Sequence, residues 1–329
     1  MEKFLLEEGD LVIGMDGSKV GKNVAVIDRN NKGSILIQRV ARLRAQKNAD
    51  LKYIYQRILS KEFQKYVDTV NTSSGIPHIS LQQIKDFTIS FPILPEQQKL
   101  ASFFSLLDDR IQTQSKIIEG LKASKKALSK KIFTQEFRFS EFIDAWSIMR
   151  LGEIGDIIGG GTPKTNKDEY WNGNIQWFTP TEIKSNFVSK SQRTITELGL
   201  KNSSAKILPK GTILLTTRAT IGEVAIALEE CTTNQGFQSL VIKAGLNNVF
   251  IFNWIKENRF ELVKKAKGST FPEINKSEIE IIKLRIPTLQ EQTKIADFLS
   301  AIDEKIEIET SILNLYTKQK QYLLRQMFI

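Results

Sequence analysis

The chain has 329 residues, of which 41% are hydrophobic, and carries a formal net charge of +10 with one cysteine and one histidine. That length fits two domains, or two copies of one domain with connectors, and the apolar share is enough for buried cores. Cys231 alone excludes an internal disulfide, no apolar run approaches the roughly 20 residues of a membrane span, and no signal-peptide pattern opens the chain, so a cytoplasmic protein without a membrane partner is expected.

Residues 1–94 read as a first globular lobe. Gly9-Asp-Leu-Val-Ile13 has the pattern of a strand, a turn follows over 14–22, and Ile35-Leu-Ile37 is a second strand candidate. Residues 95–140 then read as one long helix opened by Pro95. Apolar positions at Leu100, Phe104, Leu107, Ile111, Ile118, Leu121, Leu128 and Ile132 step by four and three in alternation when Gln114 and Lys125 fill the gaps. This is a heptad seam.

Residues 141–288 read as a second, larger lobe. Its strand candidates are Gly211–Thr217, Glu223–Leu228 and Gln238–Ile242, followed by a helix from about Val249 to Lys265 with Phe250, Trp254, Ile255 and Leu262 inward. Residues 289–329 form a second long helix, with seam positions Ile295, Leu299, Ile302, Ile306, Leu313, Tyr316, Leu323 and Met327 and gaps at Glu309 and Lys320.

The two halves repeat. Pro92, Leu94, Glu96, Gln97, Lys99, Ala101, Phe103, Ser105, Asp108 and Ile111 recur 195 positions later as Pro287, Leu289, Glu291, Gln292, Lys294, Ala296, Phe298, Ser300, Asp303 and Ile306. Gly9 answers Gly211, Gly21 answers Gly222, Ile35–Ile37 answers Leu240–Ile242, and Gly75-Ile-Pro-His-Ile79 answers Thr270-Phe-Pro-Glu-Ile274. A doubled unit implies a two-fold partner. Pairing residue i with 434 − i in an antiparallel coiled coil sets Lys125 against Glu309, Gln114 against Lys320 and Ile111 against Leu323, an overlap of roughly 40 Å that would act as a spacer. The fold expected is α+β, with two repeated α/β lobes separated and joined by these helices. The stretch Trp146–Pro209 has no counterpart before Gly9, so either the first lobe is shortened or Met1 lies inside a longer reading frame.

Catalytic patterns are missing. One histidine and one cysteine cannot build an imidazole or thiolate metal cluster, and His78 stands where the second copy has Glu273. Gly17-Ser-Lys-Val-Gly21-Lys22 lacks the layout of a phosphate-binding Walker loop. What remains is a set of polar loops: Thr162, Lys164, Thr165 and Asn166; Thr217, Arg218 and Thr220; Asn234, Gln235 and Gln238; and Lys267, Ser269 and Thr270. In the first lobe the matching candidates are Ser18, Lys19, Lys22, Ser73 and Ser74. Arg, Asn and Gln forks suit base edges, whereas Lys, Ser and Thr suit phosphates.

With these residues the chain resembles the specificity subunit of type I restriction-modification enzymes. The resemblance rests on the two LPEQQKLASFFSLLDDRI-type helix openings, Trp146 with Leu151-Gly152-Glu-Ile154, Gly160-Gly-Thr-Pro163, Tyr170-Trp171-Asn-Gly173 with Ile175-Gln-Trp177, Arg218-Ala-Thr-Ile-Gly222 and Thr233-Asn-Gln-Gly236. It implies two target recognition domains in inverted orientation, each reading one half of a split double-stranded DNA site. The helices, paired through Leu107, Ile111, Gln114, Ile118, Leu121, Lys125 and Leu128 against Ile302, Ile306, Glu309, Leu313, Tyr316, Lys320 and Leu323, would set the spacer and dock two methyltransferase subunits. It also implies that this non-catalytic chain binds no cofactor itself. S-adenosylmethionine, Mg and ATP belong to the methyltransferase and restriction/motor subunits. The rival readings are a coiled-coil scaffold without DNA binding, a nuclease or methyltransferase acting alone, and an inactive, recombination-donor form of the specificity subunit.

Overall fold

The computed structural model describes residues 4–71, 75–218, 220–268 and 272–328. In chain order, β1 (Leu11–Gly14), β2 (Val24–Val26) and β3 (Val40–Leu43) precede α1 (Leu51–Ile58), α2 (Lys61–Val70), α3 (Leu81–Asp86) and the long α4 (Leu94–Phe133). There follow β4 (Ser147–Arg150), α5 (Leu151–Ile154), β5 (Gly155–Gly159), β6 (Trp171–Phe178), β7 (Phe187–Val188), β8 (Arg193–Ile195), α6 (Glu197–Lys201), β9 (Ile213–Leu215), β10 (Val224–Ala227), β11 (Thr232–Thr233) and β12 (Gln238–Ile242). The chain ends with α7 (Asn248–Glu257), α8 (Arg259–Lys265), α9 (Lys276–Glu280), β13 (Lys283–Ile286) and the long α10 (Leu289–Met327). Among the described residues no helix is long and apolar enough to cross a membrane.

Two compact units emerge, Met1–Glu119 with Glu307–Ile329, and Gly120–Ile306, so the division falls inside both long helices. The first unit holds an antiparallel sheet of order β2-β1-β3 backed by Phe63, Val67, Ile79 and Ile84. The second holds the matching trio β10-β9-β12, enlarged by β7 and β5 into five strands, with the sheets β11-β6-β8 and β13-β4 beside it. Leu11 faces Leu43 in the first unit as Ile213 faces Leu240 in the second. The counterpart of Leu240–Ile242 in the first sheet is therefore β3 at Val40–Leu43, not Ile35–Ile37. Ile35 makes only an isolated bridge to Leu5, and both isoleucines are exposed.

Equivalent residues fix equivalent joints. Asp50 caps α1 by accepting from the Tyr53 amide at 2.9 Å, and Asn247 caps α7 by accepting from the Phe250 amide at 3.0 Å. A buried glutamine on each long helix then clamps that cap to the lobe. Gln97 Oε1 accepts from the Asp50 amide while its Nε2 donates to the Pro92 carbonyl, and Gln292 does the same with Asn247 and Pro287. The helix expected from Val249 to Lys265 is broken at Asn258, whose amide closes α7 on the Trp254 carbonyl before α8 starts. The four residues expected to point inward are all buried.

The long helices run antiparallel within each unit, but their polar residues take other partners than those expected. Lys125 meets Asp303 at 2.5 Å rather than Glu309, and Gln114 donates to the Glu309 carboxylate rather than facing Lys320. Lys320 meets Asp108 at 2.5 Å. The polar partners thus lie six residues from the expected ones for Lys125 and Lys320 and eleven for Gln114. A lysine stem is long enough to carry its ammonium past the seam to a carboxylate on a neighbouring turn. Stacking of Phe104 on Phe328, with Leu324 and Tyr53 in the same cluster, fixes the alignment in the first unit. The repeat offset carries Asp108–Lys320 onto Asp303–Lys125, so each unit owns one copy. Each aspartate is also held by its own lobe, through Gln56 at 2.9 Å and Asn186 at 2.9 Å respectively. The fourteen expected seam residues are all buried or half-buried.

Cys231 is 2% exposed, and burial pushes its thiol up to about 12. The thiolate is the reactive form. A thiol reagent at pH 8 is therefore expected to label Cys231 only after unfolding. Rapid labelling of the native chain, followed by absorbance, would contradict this packing of the second unit.

Candidate nucleic-acid interface

In the second unit the central strand β9 runs into the turn 216–222. Thr216 closes it, donating its hydroxyl to the Thr220 carbonyl at 2.5 Å while the Thr216 amide bonds the Glu223 carbonyl at 2.9 Å. Gly222 sits at φ 82°, and a Cβ there would come within 2.6 Å of Arg259 Cγ, so glycine is needed on both counts. Arg218 projects from the turn tip and is exposed; its Nε meets Glu273 Oε1 at 2.8 Å.

Backbone bonds gather the other loops around this turn. The Thr217 amide donates to the Gly236 carbonyl at 2.8 Å, and the Ile274 amide donates to the Thr217 carbonyl at 3.3 Å. The Gly161 amide donates to the Thr233 carbonyl at 2.8 Å, and Thr162 donates its hydroxyl to Gln235 Oε1. Lys267 pairs through its backbone with Glu273 at 2.9 Å in both directions. A Cβ at Gly160 would lie 2.0 Å from the Asn234 carbonyl oxygen, which is why the 159–161 glycines can press against the 233–236 loop. Four loops distant in sequence thus form one surface.

Within it the candidates differ. Lys164, Thr165, Asn166, Arg218, Gln235 and Lys267 are exposed, and Thr162 and Thr220 are half-buried. Thr217 is 1% exposed and holds the loops together, so it is no surface contact. Asn234 Oδ1 accepts from the Gly236 amide at 2.8 Å and shapes the loop. Gln238 is half-buried with Oε1 turned inward. Lys267 Nζ reaches Glu278 at 2.7 Å, and that hydrogen bond and charge hold the Glu278 carboxyl below its ordinary range. Ser269, Thr270, Ser73 and Ser74 lie outside the described residues.

The first unit repeats the closure on a smaller scale. The Ile79 amide donates to the Met15 carbonyl and the Gly17 amide to the Pro77 carbonyl, each at 2.9 Å. Ser18, Lys19 and Lys22 stand exposed on this turn, and Arg39 pairs with Asp16 at 2.8 Å.

Sequence reasoning missed two residues here. Glu273 orients Arg218, and the only signal for it was the change from His78 in an otherwise repeated turn. Arg193 lies 3.6 Å over the Trp171 ring, which packs edge-on against Trp177 at 5.0 Å. Those tryptophans anchor the flanking loop, since Trp171 Nε1 donates to the Lys164 carbonyl and Trp177 Nε1 to the Gly161 carbonyl.

The family model of the type I restriction modification DNA specificity domain matches residues 1–123 and 143–316. The MjaIX specificity subunit of Methanocaldococcus jannaschii is 38% identical over 189 residues, covering 56% of this chain and 44% of that protein. The putative MjaX specificity subunit of the same organism is 28% identical over 327 residues, covering 93% and 74%. The EcoR124I/EcoR124II specificity subunit of Escherichia coli is 30% identical over 181 residues, covering 52% and 45%. The matches thus span less than half of two of these relatives. Among solved structures, the type I restriction-modification S subunit from M. genitalium superposes with a TM-score of 0.66 at 18% identity, over 100% of this chain and 85% of that one. A chain from a study of type I R-M complex assembly and conformational transition gives 0.64 at 19% identity, over 98% and 82%. Both share the fold.

Proposed function

The chain belongs to the type I restriction-modification DNA specificity family, and from that premise we propose that it is a non-catalytic subunit that recognises a bipartite double-stranded DNA site and docks methyltransferase subunits on it. The observation that carries the reading is that Lys164, Arg218, Gln235 and Lys267 are exposed on loops of the second unit that hydrogen bonds draw together, in a basic chain. Arg218 and Gln235 offer planar forks to base edges, while Lys164 and Lys267 offer charge to phosphates. The first lobe presents Ser18, Lys19 and Lys22 to the other half-site.

The long helices set the distance between half-sites and carry two methyltransferase subunits, with restriction/motor subunits joining in the cytoplasm. S-adenosylmethionine, magnesium and ATP are assigned to those partners, as is the pocket that receives a flipped adenine. The assembled complex would be an adenine methyltransferase and an ATP-dependent endonuclease.

Phosphate neutralisation makes affinity fall with salt at a log–log slope of about −0.9 per phosphate contacted. Affinity for duplex DNA, measured by fluorescence anisotropy between 50 and 200 mM salt, is expected to drop at least about tenfold. Salt-independent association with protein partners and no affinity for DNA would favour the coiled-coil scaffold instead.

A further inference from the structure

In the second unit α4, α7 and α10 line an open cleft of about 410 Å³. Its charged lining is four lysines, Lys122, Lys125, Lys126 and Lys256, against two carboxylates, Glu257 and Asp303. Asp303 is already engaged. It meets Lys125 at 2.5 Å and accepts from Asn186 at 2.9 Å, and Asn186 in turn accepts from the Lys256 ammonium at 2.8 Å. Loss of solvent around that ammonium, and then the nearby Lys125 charge, hold Lys256 below the ordinary lysine range. Lys122 and Lys126 are exposed and make no ion pair or hydrogen bond among the described residues. The fold does not require this surplus of positive charge. The repeat builds the same joint in the first unit, where Lys320 meets Asp108, yet Thr317, Gln321 and Leu59 stand there in place of Lys122, Lys126 and Lys256.

The cleft adjoins the candidate interface. Lys256 lies three residues before Arg259, whose Nε donates at 2.7 Å to the carbonyl of Ile221, in the turn that carries Arg218. The charge of Glu223, which closes that turn, reaches Lys256 as well. We propose that this cleft holds the phosphodiester backbone of duplex DNA beside the bases read by the second lobe, with Lys122, Lys126 and Lys256 as the phosphate contacts. Ammonium groups set close together repel one another until an anion lies between them, and a backbone phosphate supplies that charge whatever the sequence. An open cleft suits a strand that continues past it. The inference rests on the DNA-binding reading and adds to it a contact that positions the duplex without reading bases.

The double variant Lys122→Gln, Lys126→Gln of the full chain tests it by fluorescence anisotropy with a random-sequence duplex. Both side chains are exposed and unpaired, so Tm is expected to stay within about 2 °C of the parent. Losing two phosphate contacts is expected to make the log–log salt slope shallower by about 1.8, so that the affinity lost at 50 mM salt exceeds that lost at 200 mM about tenfold. Adding Lys256→Leu, the residue of the first unit, is expected to flatten the slope by about 0.9 more. In the parent, acetylation of Lys122 and Lys126, read by mass spectrometry, is expected to slow with the duplex and not with ATP at about 1 mM. A parent that binds the duplex while the variants keep its slope overturns this proposal and leaves DNA recognition standing. A parent that binds no duplex overturns both. Protection by ATP without protection by the duplex would make the cleft a site for a small phosphate compound and overturn its assignment to DNA.

Discussion

Replacing Arg138 by Ala is expected to destabilise the second unit by about 3 kcal/mol, because it strands a buried charge. Glu291 is 1% exposed, and Arg138 meets it with Nε at 2.8 Å and Nη2 at 2.7 Å. The contact raises the guanidinium's affinity for its proton, chiefly through the hydrogen bond to Glu291. Without it, among the described residues only the Trp146 indole at 3.2 Å remains to satisfy the carboxylate. For a unit of this size the loss corresponds to a fall of about 10 °C in Tm. Replacing both partners with leucine is expected to recover part of the loss, since the desolvated charge leaves with its partner. A single variant that melts within about 1 °C of the parent would refute the pairing.

Arg218→Ala is expected to do the opposite, leaving the fold alone and damaging recognition. The Arg218–Glu273 pair is half-exposed on both sides, and such pairs contribute at most about 1 kcal/mol to stability. Removing a fork from a base edge costs about 1–3 kcal/mol at the cognate site, or roughly 5- to 150-fold in affinity at 25 °C. Competition between cognate and random duplexes separates the possible roles. Loss confined to the cognate duplex identifies a base contact. Equal loss on both would make Arg218 a phosphate contact, and no loss on either would remove it from the interface.

The architecture was legible because long-range repetition and heptad spacing are sequence properties that tertiary packing does not overrule. β12 falls on Gln238–Ile242, a strand candidate of the sequence, and the fourteen seam positions are buried or half-buried. The polar pairing between the helices was not legible, because polar side chains choose partners by reach as well as by facing position. Lys125 stretches to Asp303, a residue off the counted seam. Thr217 was misread as a contact because a hydroxyl beside an exposed Arg218 reads the same whether it faces solvent or ties two loops through its backbone. Ile35–Ile37 imitates a strand by composition alone, whereas the pairing partner of β1 is the more polar Val40–Leu43. Glu273 could not be found from composition, since its role exists only when Glu273 pairs with Lys267 and Ile274 with Thr217 beside the turn after β9.

The most direct measurement of the central claim is the pattern of methylated adenines in cells expressing this chain with a cognate type I methyltransferase subunit. The account predicts a split motif, one half of which changes or is lost when Arg218, Gln235 and the 162–166 loop are replaced together, while the other half persists. A motif unaffected by those replacements, or methylation that does not require the chain, would contradict it.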